Sequence, residues 1–263
     1  MTTPLSAILS YKAQVDTRLT MYLIDKRREL ARINAWGEDA IDRLKPFVIA
    51  VKTIRGSLVI YTHNLFQKQQ EESVYDAAAA LELFHSGFLI HDDIMDRDSV
   101  RRGLKAMHRQ VGVNMAINIG DLCFFLGYQL LPQGIATMVS RELQSVTVAQ
   151  MQDIAKRRHS KPDLLSLYTY KTARYTFSLP MMIGATLAHA SQSVTEQLSR
   201  LGESIGILYQ IRDDELDEGK SRLASLKSPV LENAEKEISA LPIAPSQQQE
   251  LVSLAHFCLT RDK

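Results

Sequence analysis

The sequence predicts an all-α fold: a single domain, residues 1–263, of about ten or more helices around a central cavity. Apolar residues recur at helical spacing along most of the chain, and no segment alternates as a half-buried strand does. The 263 residues include only 12 glycines and 8 prolines, which favours long helices over many turns. Hydrophobic residues make up 45% of the chain, enough for a sizeable core.

The first part of the chain predicts three helices. An amphipathic pattern covers residues 4 to about 35, and a second helix is expected over residues 39 to about 65. A polar connection follows over residues 67–72. Ser73, with Asp76 three residues later, predicts the N-cap of a long third helix that ends in acidic residues.

The second part predicts further helices in regular succession. One covers residues 114 to about 131 and ends before Pro132, and the next covers residues 135–156. Another begins at about residue 164, and Pro180 is expected to break or kink it. Two capping boxes predict the starts of the last helices: Ser193 with Glu196, and Ser246 with Gln249.

The long third helix ends in a cluster of carboxylates followed by arginines. Asp92 and Asp96 are four residues apart and share a helix face, with Asp93 beside them. Converging carboxylates repel one another unless a cation lies between them, and Mg²⁺ takes one or two protein carboxylates together with water and substrate phosphate. Arg101 and Arg102 follow, and guanidinium groups match phosphate oxygens. The segment therefore indicates a metal-bound polyphosphate ligand.

A second acidic cluster has the same spacing. Asp213, Asp214 and Asp217 follow another apolar helical run. One such motif is more often a solvated helix face or cap, but two copies make coincidence the weaker explanation. The two clusters could face each other across one cavity and hold several metal ions between them.

The segment LIHDDIMDRDSVRRG and the second acidic motif together closely resemble the trans-isoprenyl diphosphate synthases, the family of farnesyl and geranylgeranyl diphosphate synthases. The likeness covers residues 52 to 220. It implies the isoprenoid synthase fold and a Mg²⁺-dependent head-to-tail (1′-4) condensation of isopentenyl diphosphate with an allylic diphosphate. The products would be a short-chain trans-prenyl diphosphate and diphosphate. The implied metal ligands are Asp92, Asp96, Asp213 and Asp217.

The resemblance also implies which residues contact the allylic diphosphate. These are Arg101, Lys171 and Thr172, and the last two lie where the family has a distorted helix. A threonine hydroxyl that bonds back to a backbone carbonyl can bend a helix in this way. Gln210 matches the glutamine before the second motif, and either Lys220 or Lys227 corresponds to the lysine that closes the site. Gln150 and Asp153 resemble the family's Gln-x-x-Asp, although a pair on a helix surface is an alternative.

A second set of residues is expected to bind isopentenyl diphosphate. Lys52 and Arg55 are three residues apart and so would share a helix face. Their segment resembles the family motif Gly-Gly-Lys-x-x-Arg-Pro, with Ala50, Val51 and Gly56 replacing the two glycines and the proline. The full implied set is Lys52, Arg55, His85 and Arg102.

The residues before Asp92 are expected to set product length. Phe88 and Phe84 would lie about 6 Å and about 12 Å below Asp92 along the helix. Bulky residues at these positions form the floor of the chain pocket in the family. Gly87 is expected to leave room beside Phe88, and the predicted product is farnesyl or geranylgeranyl diphosphate.

Global properties limit the partners and the compartment. A net charge of +1 gives no indication of nucleic-acid binding. Cys123 and Cys258 show neither metal-ligand spacing nor a disulfide framework, and no leader or membrane span is indicated, so a cytoplasmic protein is predicted. The resemblance implies a homodimer, with a heteromer possible.

Alternative functions remain open at this stage. The altered residues around Lys52 are compatible with prenyl transfer to a non-isoprenoid acceptor. A non-catalytic subunit of a heteromeric synthase is a second alternative, although retention of both acidic clusters opposes it. Terpene cyclases and squalene-type condensing enzymes fit less well, because neither class has this combination of motifs.

Overall fold

The computed structural model describes residues 4–49, 52–69, 71–155 and 159–261. Helices account for most of the described residues, which confirms the all-α prediction. The helices up to the middle of the chain are α1 (Pro4–Leu9), α2 (Lys12–Ala31), α3 (Ala35–Ile49), α4 (Ile54–Phe66), α5 (Glu72–Asp96), α6 (Met107–Val111) and α7 (Val113–Leu130).

The second half continues the helical pattern. The α-helices are α8 (Ala136–Ala155), α9 (Lys161–Leu167), α10 (Leu179–Leu187), α11 (Gln192–Glu218), α12 (Lys227–Ser239) and α13 (Pro245–Thr260). A π-helix, Tyr168–Ser178, lies between α9 and α10, and a 3₁₀ turn, Ala224–Leu226, precedes α12. Pro180 lies where the π-helix changes to α10, because its nitrogen carries no hydrogen to donate.

A short antiparallel hairpin follows α5. Strands β1 (Val100–Arg101) and β2 (Leu104–Lys105) are two residues each, too short to show an alternating pattern in the sequence. Arg102 and Gly103 form the turn with φ angles of 57° and 78°. Positive φ at both central residues is the conformation of a type I′ turn. The chain therefore reverses direction tightly at Arg101 and Arg102, the two arginines predicted to bind diphosphate.

The chain divides into two compact units. One unit comprises residues 9–57 and 75–132. The other comprises residues up to 8, residues 58–74 and residues from 133 onward. The assignment of residues 1–263 to a single domain stays a prediction.

In the first of these units, α5 packs closely on α7 through glycines. A Cβ atom at Gly87 would lie 3.0 Å from the carbonyl oxygen of Gly120 and 3.1 Å from Cβ of Cys123. A Cβ atom at Gly127 would lie 2.7 Å from the ring of Phe84. The missing side chains allow close approach of the two helices, and Phe84 is fully buried between them.

In the other unit, α11 is the central helix. It packs against the π-helix, α10, α12 and α13. One buried apolar cluster connects the π-helix to α11 and to the segment after it: Tyr168, Ala173, Ile207, Ile211 and Leu223.

The predicted helix over residues 39 to 65 is two helices. Thr53 has a φ angle of 47°, outside the right-handed helical region, and separates α3 from α4. Lys52 lies in this connection, whereas Arg55 lies in the first turn of α4. The prediction that Lys52 and Arg55 share a helix face was therefore wrong.

Several other predicted boundaries were displaced. The amphipathic run over residues 4 to 35 is interrupted between α1 and α2, and α9 begins at Lys161, before the expected position at 164. The caps Ser73, Ser193 and Ser246 were each placed too late, because all three lie inside the helix that they were expected to precede. Ser191 instead caps α11 by accepting a hydrogen bond from the Val194 N–H, 3.4 Å away. Neighbouring polar residues offer several possible caps, and spacing alone does not choose among them.

Among the described residues, no helix combines the length and the apolar character needed to cross a bilayer.

Candidate functional site

The first acidic cluster occupies the last turns of α5. Asp93 is completely buried, and its Oδ1 atom accepts a hydrogen bond of 2.6 Å from Arg101 Nε. Burial raises the pKa of Asp93, while the Arg101 guanidinium opposes that shift. Asp92 is half-buried and Asp96 is exposed. The cluster therefore presents Asp92 and Asp96 outward, while Asp93 anchors Arg101.

The hairpin directs the two adjacent arginines to different partners. Arg101 also contacts Asp98 Oδ2, 2.8 Å from its Nη2 atom. Arg102 instead donates from Nη1 to the backbone carbonyl of Phe47 at 3.2 Å, and its guanidinium lies 5.8 Å from the centre of the Phe47 ring. The hairpin thus separates the two guanidinium groups, and their division between two diphosphate groups stays a prediction.

Positive charge surrounds His85 on α5. Its pKa lies well below the ordinary value because of burial and, in addition, because of the nearby charges of Arg55, Arg102 and Arg101. Burial, together with Arg55 and Arg101, lowers the pKa of Arg102 to about 10. The structure thus brings together three of the four residues predicted to bind isopentenyl diphosphate, with a neutral imidazole among guanidinium groups.

The fourth residue of that set, Lys52, is exposed in the connection before α4. Ala50 and Val51, which replace the family's glycines, lie outside the described residues. Gly56, which replaces the proline, lies in the first turn of α4, where a Cβ atom would be 2.8 Å from the carbonyl oxygen of Ala78 on α5. Close packing of this turn on α5 thus explains the glycine.

Glu82 is a buried carboxylate in this region that the sequence analysis missed. Its Oε1 atom accepts a hydrogen bond of 2.8 Å from the Gly56 N–H, and its side chain is almost fully buried. Burial raises its pKa, and the charges of Arg55 and Arg102 oppose that rise. A lone acidic residue inside the apolar run AAAALELF was the signal that could have revealed it.

The π-helix carries Lys171 and Thr172. Lys171 Nζ lies 2.6 Å from Asp153 Oδ2 on α8. The Thr172 hydroxyl donates to Gln210 Oε1 at 3.1 Å, and Gln210 Nε2 donates to Asp214 Oδ1 at 3.2 Å. The helix distortion expected from the resemblance is present as the π-helix, but the expected bond from Thr172 back to a carbonyl was wrong because its hydroxyl donates across to α11.

Asp153 is therefore more than a residue on a helix surface. Besides Lys171, it has His159 Nε2 at 3.4 Å from its Oδ1 atom. Gln150 lies one turn earlier on α8 and is half-buried. Of the two residues in the Gln-x-x-Asp resemblance, Asp153 thus contacts Lys171, a residue of the predicted site.

The second acidic cluster lies at the end of α11. Asp213 forms an ion pair with Arg261, whose guanidinium stacks 3.9 Å from the centre of the Tyr209 ring. The pKa of Asp214 rises to about 6 through burial and through the charges of Glu218, Asp217 and Glu215, against a hydrogen bond from Ser221. Negative charge is therefore in excess here. Arg261 was not predicted from the sequence, since a single arginine outside any motif carries no signal.

The two lysines considered for closing the site differ in position. Lys227, at the start of α12, lies 2.6 Å from Glu215, which lies between Asp214 and Asp217 of the second acidic cluster in the chain. Lys220 is exposed just after Gly219, whose φ angle of 75° ends α11. The structure thus connects Lys227 to the cluster.

The aromatic residues on α5 contact α7. The Phe84 ring centre lies 5.0 Å from that of Tyr128, and the Phe88 ring centre lies 5.0 Å from that of Phe124. A Cβ atom at Gly87 would also lie 3.1 Å from the Phe124 ring. The expectation that Gly87 leaves room beside Phe88 was wrong, because α7 fills that space.

The carboxylates fit a magnesium ion by their chemistry. No three His, Cys, Asp or Glu side chains enclose a metal position in the described ranges, but Mg²⁺ needs only one or two protein carboxylates besides water and phosphate. Both acidic motifs lie at helix C-termini, where the helix dipole disfavours negative charge. Arg101 and Arg261 each offset one of these carboxylates, Asp93 and Asp213, and the remaining carboxylates are compatible with a cation site.

Comparison with known proteins gives a family match. The model of the family described as "Polyprenyl synthetase" matches residues 44–250. Geranylgeranyl diphosphate synthase of Sulfolobus acidocaldarius is 32% identical over 182 residues, which are 64% of this chain and 54% of that protein. Farnesyl diphosphate synthase of Bacillus subtilis is 27% identical over 226 residues, 76% of each chain. The chain spans about half the length of the archaeal relatives that it matches.

Solved structures show the same fold. Geranylgeranyl pyrophosphate synthase from Corynebacterium glutamicum, complexed with isoprenyl diphosphate and magnesium, has a TM-score of 0.84 and 23% identity; the match covers 96% of this chain and 99% of that one. A geranylgeranyl pyrophosphate synthetase from Geoglobus acetivorans has a TM-score of 0.79 and 22% identity, with 97% and 99% covered.

Proposed function

Because the chain belongs to the polyprenyl synthetase family, we propose that it condenses isopentenyl diphosphate head-to-tail (1′-4) with an allylic diphosphate. The products are a short-chain trans-prenyl diphosphate, farnesyl or geranylgeranyl, and diphosphate. One observation carries this proposal: the same carboxylate spacing, Asp92 with Asp96 and Asp213 with Asp217, occurs at the C-terminal ends of two long helices. The helix dipole disfavours negative charge there, and a bound cation would offset it.

The acidic residues have the role of metal ligands in this proposal. Asp92, Asp96, Asp213 and Asp217 bind Mg²⁺, which when bound neutralises charge developing on the departing diphosphate. Arg101 and Lys171 bind that diphosphate in exchange for their present partners, Asp93 and Asp153. Both side chains are already held in ion pairs, so binding of the diphosphate replaces one anionic partner by another.

The residues around His85 bind the acceptor. Arg55 and Arg102 supply positive charge to the diphosphate of isopentenyl diphosphate, with Lys52 at the exposed edge. His85, neutral among guanidinium groups, donates a hydrogen bond without adding charge. The carbon–oxygen bond to diphosphate breaks first and leaves an allylic cation. The acceptor's double bond attacks that cation, and the condensed cation then loses a proton to the released diphosphate. The reaction requires no protein nucleophile.

The hydrogen-bonded path from Thr172 through Gln210 to Asp214 has a positioning role. It connects the π-helix with the second acidic cluster. The path thereby couples the position of Lys171, the neighbour of Thr172, to Asp214 between the two carboxylates that would hold the cation.

We also propose that the chain works as a homodimer. Helix α7 exposes four large apolar side chains to solvent: Val113, Ile117, Phe125 and Tyr128. Exposed apolar groups of this kind indicate a protein interface.

Product analysis tests the function. The protein is incubated with Mg²⁺, isopentenyl diphosphate and each allylic diphosphate, and the extracted products are sized. Asp92→Ala and Asp213→Ala should each lower turnover by at least about 100-fold without loss of folding. Asp25→Ala, which removes an exposed carboxylate paired only loosely with Arg28 at 3.5 Å, is the control and should leave turnover unchanged. Unchanged turnover in Asp92→Ala would overturn the metal assignment. Allylic diphosphate recovered unextended from the wild-type reaction would favour an alternative function, either transfer to another acceptor or a non-catalytic subunit.

A further inference from the structure

The π-helix that carries Lys171 and Thr172 is unusually long, and its stability has to be explained. It extends over Tyr168–Ser178, 11 residues. Most π-helical segments are single turns inside α-helices, and long ones are rare. Tertiary contacts must therefore stabilise this hydrogen-bond register against the α-helical alternative.

One stabilising contact is backbone packing against α11. A Cβ atom at Gly206 would collide with Cα of Ala173, and a Cβ atom at Gly202 would lie 2.6 Å from Cα of Ser178. Ser178 also donates from Oγ to the carbonyl of Ser199 at 2.7 Å. This packing places one face of the π-helix directly on α11.

The other stabilising contact is an ion cluster around Arg174. Its Nε atom donates to Glu142 Oε2 at 3.0 Å and its Nη2 atom to Glu142 Oε1 at 2.5 Å. Its Nη1 atom lies 3.4 Å from Glu203 Oε2. Glu142 is only 3% exposed, so its carboxylate depends on this partner. Arg174 thus joins the π-helix to α8 and to α11 at once.

The cluster lies close to the residues of the proposed chemistry. Arg174 is three residues after Lys171, and both form ion pairs with α8, at Glu142 and Asp153. Thr172, between them, bonds to Gln210 on α11. A change of one residue in the helical register at Arg174 would therefore move Lys171 relative to its partners.

We propose that Arg174 is a positioning residue that holds the π-helix in register, so that Lys171 and Thr172 meet the allylic diphosphate. This inference rests on the proposed function. Arg174 acts through the backbone, and its fork of donors gives the bidentate contact that a lysine cannot reproduce.

The variants separate positioning from general stability. Arg174→Met leaves the Glu142 carboxylate buried without its partner, so the melting temperature should fall. Arg174→Met combined with Glu142→Gln removes both charges, so the melting temperature should return toward that of the wild type. Arg200→Met is the matched control, because the Arg200 side chain makes an equally bidentate contact, 2.7 and 3.2 Å, with Glu237 of α12 and not with the π-helix or α8.

Hydrogen exchange and kinetics distinguish a positioning role of Arg174 from a purely stabilising one. In the double variant, amide exchange over residues 168–178 should remain faster than in the wild type. Its kcat/KM for the allylic diphosphate should fall about 100-fold, while the KM for isopentenyl diphosphate stays unchanged. Compared with Arg174→Met, the variant Arg174→Lys should recover the melting temperature of the wild type but only part of its kcat/KM. The control should match the wild type in both measurements.

Two results would overturn the inference. The first is a double variant whose kcat/KM and exchange recover together with its melting temperature, since Arg174 would then be only a stabilising residue. The second is unchanged exchange over residues 168–178 in Arg174→Met. A wild-type chain that forms no prenyl diphosphate would instead overturn the proposed function, and the exchange measurement, which needs no substrate, would still decide whether Arg174 holds the π-helix.

Discussion

Phe84 and Phe88 lie one turn apart on α5 but differ in burial. Phe84 is fully buried, with its ring against Gly127 and Tyr128 of α7. Phe88 is only half-buried, and its ring packs edge-to-face with that of Phe124. Removal of the Phe84 ring would leave a cavity costing about 3–5 kcal/mol, whereas the loss of Phe88 opens space that is partly accessible. Phe88 is therefore the better candidate for the floor of the chain pocket.

Phe88→Ala should give a product at least one isoprene unit longer than the wild-type product, because the growing chain gains the volume of the ring. Chromatography of the dephosphorylated products measures the chain length. Trp36→Ala, which removes an exposed ring from α3, should leave the product unchanged. A product of wild-type length or shorter in Phe88→Ala would remove Phe88 from the determinants of length.

At the scale of single elements, α11 depends on its glycines. Gly206 meets the backbone of Ala173 so closely that a methyl group at this position would displace backbone atoms. Backbone cannot move aside as a flexible side chain does. The π-helix and α11 therefore fit each other only while this position has no side chain.

Gly206→Ala should destabilise the protein by about 1–3 kcal/mol, the usual cost of overpacking, although alanine is the better helix former. Thermal denaturation measures the effect, and faster hydrogen exchange should extend over residues 168–178. Ser193→Ala, at an exposed position of the same helix, should change stability by less than about 0.5 kcal/mol. If Gly206→Ala melted at the wild-type temperature, the close contact would not constrain the π-helix.

The sequence predicted the elements that follow from spacing. The acidic motifs at the ends of α5 and α11 were predictable because a separation of four residues fixes two side chains on one helix face. The break at Thr53 was not, since neither glycine nor proline marks that positive φ angle. The π-helix was foreseen only as a distortion, because its register depends on contacts with α8 and α11 that are distant in sequence.

At the scale of the whole molecule, each compact unit contains one acidic motif. Asp92 and Asp96 belong to the unit with residues 75–132, and Asp213 and Asp217 to the unit with residues from 133 onward. The family match, residues 44–250, includes both motifs. That the two motifs act on one substrate stays a prediction, which follows from the proposed function. The turnover of Asp92→Ala and Asp213→Ala tests it, because both variants should lose turnover in parallel.

The unit with residues 75–132 also carries the proposed dimer surface. Phe125 is 70% exposed on α7, and Ile117 and Tyr128 are each 41% exposed on the same helix. Burial of such rings against a second copy contributes about 25 cal/mol for each Å² of apolar surface removed from water. A charge placed among them must lose its hydration in the interface, which disfavours association.

Phe125→Asp should therefore convert a dimer into a monomer, as measured by light scattering coupled to size-exclusion chromatography. Trp36→Asp is the matched control, because Trp36 is a similarly exposed aromatic residue, 64%, on α3, and it should remain dimeric. A wild-type chain that is monomeric at micromolar concentration would contradict the homodimer. A Phe125→Asp variant that stays dimeric would show that α7 is not the surface through which two copies associate.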